Sequence, residues 1–177
     1  MAGHSKWAQI KRQKGASDIQ KSKTFSKLAK VISIAAKKGS DPNTNAELRG
    51  AIDKARTENM PMENIKRAIE KGAGGVEGGE LESIRYEAYG PGGAAIIIDT
   101  ITDNSNRTVA EIKHILNENG AKFAERGSVL WVFDLTGAKP TPKMTTEISS
   151  NDKEGLDKLI KALLENDDVQ EEYTNVK

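Results

Sequence analysis

The chain has 177 residues, no cysteine, 36% apolar and 30% charged residues, and a formal net charge of +1. That length holds one ordinary domain or two small ones with real cores. The composition excludes disulfides, thiolate metal sites and cysteine nucleophiles, and no apolar run approaches the roughly 20 residues of a membrane-spanning helix.

The near-neutral total hides an asymmetry. Residues 1–40 carry ten Lys/Arg against one Asp, residues 41–72 six of each, and residues 73–177 eleven Lys/Arg against nineteen Asp/Glu. So basic a segment points to an anionic partner, nucleic acid or a lipid surface, with a solvated basic tail as the alternative. The start, MAGHSKWAQIKRQK, lacks the continuous apolar core of a secretory signal. Its lysine bias also departs from the arginine-rich composition of a transit peptide.

Apolar spacing predicts a helix over residues 22–38, closed by Gly39. At about 100° per residue, Phe25, Leu28, Ala29, Ile32 and Ala35 share one side. Lys23, Lys27, Lys30, Lys37 and Lys38 share the other, with Ile34 projecting among them. Solvated faces normally mix signs, because like charges at i,i+4 repel. An anionic ligand removes that cost, so the lysine stripe reads as a phosphate-binding face.

A second helix is expected over 45–58, with Leu48, Ala51, Ile52 and Ala55 inward. A third is opened by Pro61 and ended by Gly72, with Ile65, Ala68 and Ile69 inward. Three helices with one apolar stripe each must pack together, so residues 1–72 read as a small basic helical domain. The glycine-rich stretch 73–82 reads as a flexible linker. It follows a helix and lacks the Gly-Lys-Ser/Thr ending of a phosphate loop.

Residues 83–177 read as an α+β domain. Residues 85–89 alternate as a strand, and GPGG turns the chain. From residue 94 the expected elements are a strand to 102, a helix over 107–119 and a strand over 128–134. A strand from 144, a helix over 152–165 and a closing strand from 169 follow. In the 128–134 strand, Val129, Trp131 and Phe133 share one face. The order βαββαβ is the ferredoxin-like pattern, and residues 85–89 add an extra strand at the edge or a hairpin partner.

No catalytic constellation emerges. His4 lies in the terminus and His114 on a helix surface, with no serine and acid placed beside either. Asp99 with Asp103 read as turn and cap residues, and Asp167 with Asp168 as a loop before the last strand, rather than metal ligands. No enzyme, cofactor or metal is expected. DNSNRT sits where a strand meets a helix N-terminus, whose free N–H groups favour an anion. Asn104, Asn106 and Arg107 are therefore a second candidate anion or partner site, with capping as the alternative for the asparagines. Trp7 could stack on an unpaired base or dock the start of the chain on the helical domain.

MAGHSKW, DPNTNAELRGAIDKAR, ENMPMENIKRAIEKG, YEAYGPGGAAIIID, TDNSNRTVAEIKHIL and DDVQEEYTN together make the chain similar to the YebC/PmpR family. Some members are described as DNA-binding transcriptional regulators. The mitochondrial relative is a translational activator of cytochrome oxidase. The resemblance covers residues 1–135 and resumes near 144. It implies a nucleic-acid-binding regulator, with promoter DNA or ribosomal RNA, and so the ribosome, as partner. A start at Met1 without a presequence implies a bacterial-type cytoplasm. A monomer is expected, with no membrane partner. The binding residues expected from charge and resemblance together are Lys6, Trp7, Lys11, Arg12, Lys14, Lys21, Lys23, Lys27, Lys30, Lys37 and Lys38. Family members usually insert a third domain between the strands ending near 135 and beginning near 144. TGAKPTPK stands there instead.

Overall fold

With no proline before residue 42, nothing stops a helix from running through the basic start. The computed structural model places one helix, α1, over Lys6–Ala36. The structure describes the backbone of residues 6–74 and 79–177, and the side chains of residues 17–74 and 79–177. The apolar stripe predicts this helix only from residue 22. The earlier turns carry no such stripe, and Gly15 within them costs only about 1 kcal/mol against alanine. Residues 37 and 38 leave the helix, their N–H groups bonding three residues back to Ile34 and Ala35.

Helix α2 spans Ala46–Thr57, and Asn45 ties it to α1. The Asn45 carboxamide oxygen accepts from Leu48 N–H at 3.0 Å, capping α2, while its nitrogen donates to Ala35 O and Gly39 O at 2.8 Å. One side chain thus ends one helix and starts the next. Helix α3 spans Met62–Gly72, with Pro61 at its N-cap. Leu28, Ile32, Ala35, Leu48, Ala51, Ile52, Ala55, Ile65 and Ala68 form the core, flanked by half-buried Phe25, Ala29 and Ile69.

Ser33 is also buried, its hydroxyl donating to Ala68 O at 2.8 Å across α1 and α3. Gly72 explains the closeness, because a Cβ there would stand 2.1 Å from Ser33 O. The residue that ends α3 in the sequence pattern is therefore demanded by helix contact as well.

Connectivity within the chain separates two units, Met1–Glu77 and Gly78–Lys177. Much of the expected linker, residues 75–78, lies outside the described residues. Its far end is folded: Leu81 is buried and the first strand begins at residue 82.

In the second unit β1 (Glu82–Tyr89) and β2 (Ala95–Thr102) form an antiparallel hairpin. Its turn uses Gly92 at φ +68°, packed against Ile148. Then come α4 (Ser105–Glu118), β3 (Lys122–Ala124), β4 (Phe133–Asp134), β5 (Thr141–Pro142), α5 (Ser150–Glu165) and β6 (Val169–Thr174). The main sheet has the order β3-β1-β2-β6, each pair antiparallel. Tyr86, Ala88, Ile96 and Ile98 meet Ile112, Leu116, Leu156, Leu159 and Leu163 of α4 and α5. Ala95 and Ile97 face the other way, under Val129, Val132 and Phe133.

The α+β class matches the expectation, and β2, α4 and β3 make a split β-α-β with β1 between the two strands. The strand assignment differs. Of the two roles expected for residues 85–89, the hairpin partner holds and the edge does not, since they lie in a central strand. Residues 144–149 form no strand beyond a single bridge between Thr146 and Val176. The third strand is Lys122–Ala124. Residues 128–134 instead cross the sheet as a short 3₁₀ turn and a two-residue strand paired with β5. Buried Val129, Val132 and Phe133 follow i, i+3, i+4 spacing, so the apparent alternation there is turn periodicity. Trp131, expected to share a face with Val129 and Phe133, is 62% exposed while those two are buried.

TGAKPTPK closes the β4–β5 hairpin. Asp134 accepts from both the N–H and the hydroxyl of Thr136, which holds its carboxyl below the usual carboxylate range.

Candidate nucleic-acid interface

Helix α1 carries eight Lys/Arg and one acid, Asp18, over 31 residues. Burial of Leu28, Ile32, Ala35 and Ala36 sets its inner side. At about 100° per residue, Lys23, Lys27 and Lys30 fall opposite that side. All three are half-buried and engage other residues, as Ile34 beside them is half-buried too. The stripe is therefore a seated feature rather than a freely solvated row. Lys21 is exposed.

Lys37 and Lys38 follow the helix; Lys38 donates to Glu47 at 2.6 Å, so its charge is already met. The backbone of Lys6, Trp7, Lys11, Arg12 and Lys14 continues α1, while their side chains lie outside the described residues.

Asn104, Asn106 and Arg107 are brought to the start of α4. Asn104 caps the helix, accepting from Arg107 N–H at 3.0 Å. The Arg107 guanidinium donates at 2.9 Å to both Asp103 and Asp168. These hydrogen bonds, Asp168 first, raise its already high pKa further. The Asp168 side chain is 4% exposed and also accepts from Thr108 Oγ1 at 2.7 Å. Thr108 Oγ1 in turn lies 2.8 Å from Thr102 Oγ1, tying strand end to helix. Arg107 thus neutralises a buried carboxylate of its own chain, and capping accounts for Asn104. Asn106 is exposed.

Several other titratable groups form pairs. Asp99 lies within β2 and makes a two-pronged pair with Arg85 on β1, at 2.6 and 2.8 Å, rather than serving a turn. Tyr173 donates to Glu171, which Lys139 also reaches at 3.0 Å. Burial, then that bond, pushes the Tyr173 hydroxyl well above the ordinary tyrosine value. Burial and neighbouring Glu171 likewise raise Glu172. His114 sits with Glu118 at 3.4 Å on an exposed helix side, and His4 lies outside the described residues. Among the described residues no cluster of three metal-ligating side chains is assembled, and no helix is long and apolar enough to cross a membrane.

A further arrangement escaped the motif reading. Glu87, 2% exposed near the end of β1, accepts from the N–H groups of Gly127, Val129 and Leu130 at 2.6, 2.7 and 3.2 Å. These bonds hold the loop on which Trp131 stands. An acid amid an alternating strand was the available signal, since a carboxylate on a covered face must find donors.

Residues 5–75 match the TACO1/YebC protein N-terminal domain, and residues 81–139 match the TACO1/YebC second and third domain. A probable transcriptional regulatory protein of Chlorobaculum parvum is 54% identical over 153 residues, covering 86% of this chain and 60% of that protein. The chain therefore spans about three fifths of that relative's length. One of Thermoanaerobacter pseudethanolicus is 39% identical over 238 aligned positions, covering 99% of this chain and 97% of that protein. That alignment is longer than this chain, so the relative carries segments with no counterpart here. The crystal structure of a conserved hypothetical protein from Aquifex aeolicus superposes with a TM-score of 0.83 at 30% identity, over 90% of this chain and 91% of that one.

Proposed function

The chain belongs to the TACO1/YebC family, and we propose that it is a DNA-binding regulator of transcription that grips phosphates through α1. The observation that carries this reading is the charge of that helix, eight Lys/Arg against one Asp along 31 residues. At 1.5 Å per residue it is about 46 Å long, more than one turn of B-form DNA. Cations spread over that length displace condensed counterions, which favours binding at low salt.

The relatives' printed name, probable transcriptional regulatory protein, supports the same reading. Residues 1–72 act as the gripping domain, Lys21, Lys23, Lys27 and Lys30 within it, with Lys6, Lys11, Arg12 and Lys14 adding positive charge to the same helix. No catalytic step is part of this reading. Phosphate contacts position a protein without reading sequence, so promoter choice needs contacts beyond this stripe.

The test replaces Lys23, Lys27 and Lys30 together by Glu and measures anisotropy of a labelled duplex across a salt series. The slope of log affinity against log salt should become shallower by about one for each phosphate contact removed. An unchanged slope and affinity would reject the α1 surface. Ribosome co-sedimentation that these changes abolish, without preference for promoter over random duplex, would move the target to ribosomal RNA.

A further inference from the structure

A second surface, in the acidic α+β unit, has a different chemistry. The Tyr89 hydroxyl and the Trp131 indole N–H both donate to one acceptor, the Ser128 carbonyl, at 3.1 and 2.8 Å. Two donors fill both lone pairs of that oxygen, so the polar edges of both rings are tied to a single point. Yet Tyr89 remains 42% and Trp131 62% exposed. Ser128 is itself held on both sides, because Glu87 takes the N–H groups of Gly127 and Val129. The rings are thus fixed in place while much of each stays open to solvent.

Cations flank them. Lys122 is the register partner of Tyr89 across β3 and β1, which sets the two side chains on the same face about 5 Å apart at Cβ. Arg126 precedes the held loop. Both are exposed, and among the described residues neither has an acidic partner. Pinned rings beside two available cations match the two parts of a single-stranded nucleotide, a flat base and a phosphate. A duplex offers the phosphate but keeps its bases stacked.

We infer that Tyr89 and Trp131, with Lys122 and Arg126, form a stacking site for an unpaired nucleobase and its phosphate. The site lies outside α1 and selects strand state rather than charge alone. It rests on the proposed function only for the partner being a nucleic acid. RNA and DNA share the required chemistry.

The experiment follows the Trp131 indole N–H resonance in proton–nitrogen correlation spectra of the full chain, assigned with Trp131→Phe. Oligouridylate, oligothymidylate and a duplex of equal length are the three probes, and anisotropy reports total binding. The single strands should shift the resonance saturably and the duplex should not; the tighter of the two identifies RNA or DNA as the natural source. Tyr89→Ala should weaken the single-strand response by about 5- to 150-fold. Lys122→Glu with Arg126→Glu should weaken it while leaving the spectrum's dispersion intact, which separates lost binding from lost folding.

An unmoved Trp131 resonance while anisotropy shows single strands bound would overturn the site. So would equal shifts with duplex. A shift with protein concentration in the absence of nucleic acid would assign the corner to a second copy of the chain and overturn it too. The Lys23/Lys27/Lys30 reversal tests the α1 surface separately, because it should weaken duplex binding and leave the Trp131 response to single strands measurable.

Discussion

Replacing Glu87 by Gln should unseat the loop that carries Trp131. The carboxylate is 2% exposed and accepts three backbone N–H bonds, one on Oε1 and two on Oε2. Gln is nearly isosteric but keeps only one acceptor oxygen. Whichever way it turns, its amide nitrogen faces at least one backbone N–H, donor against donor. A buried donor left without an acceptor costs about 1–3 kcal/mol. The bonds that survive lose their charge assistance, worth roughly another 1 kcal/mol. The second unit should therefore lose about 2–4 kcal/mol. With a urea dependence of about 2 kcal/mol per molar, the midpoint should fall by about 1–2 M. The assay is urea unfolding followed by Trp131 fluorescence in a Trp7→Phe background, where Trp131 is the sole tryptophan and reports its own unit. A midpoint within experimental error of the parent would refute the reasoning, because the three bonds would then contribute nothing net.

Other expected outcomes follow from the same geometry. Gly72→Ala places a Cβ 2.1 Å from Ser33 O; the overpacking should cost the helical unit about 1–3 kcal/mol despite alanine's higher helix propensity. Thermal unfolding by circular dichroism checks it, and a stabilised variant would refute the close α1–α3 contact. Arg107→Ala strips the buried Asp168 of one charged donor but leaves Thr108. Because the guanidinium is 44% exposed, the loss should be only about 1–2 kcal/mol. Duplex affinity measured by anisotropy should not change, and a weakened complex would restore Arg107 as an anion ligand. Tyr173 has a raised folded-state pKa, so its contribution is intact below the unfolded value of about 10 and declines as pH rises above it. Urea midpoints across alkaline pH should fall in the parent and fall less in Tyr173→Phe.

What the chain's own order of residues determined is local. The stripes of Leu48, Ala51, Ile52 and Ala55, and of Ile65 and Ala68, follow from periodicity and are buried as expected. Asn45, Asn104 and Ser149 each accept from an N–H three residues on, within reach of the same turn. The charge imbalance between the two ends of the chain is equally plain without coordinates.

Helix α1 marks the limit of that approach. Its first turns form without an apolar stripe to announce them, because nothing in residues 6–21 interrupts a helix already nucleated downstream.

Only the tertiary structure decided pairings between distant segments. Residues 122–124 join β1, whereas the more strand-like 128–134 crosses the sheet and exposes Trp131. Hydrophobic alternation cannot distinguish a strand within a sheet from a segment lying over one, since both bury apolar side chains against it. The same holds for the charges. Asp168 meets Arg107 and Glu87 meets the 127–130 loop across 61 and about 40 residues of chain. Burial strips each carboxylate of water, so it must be met by donors that only the fold brings to it.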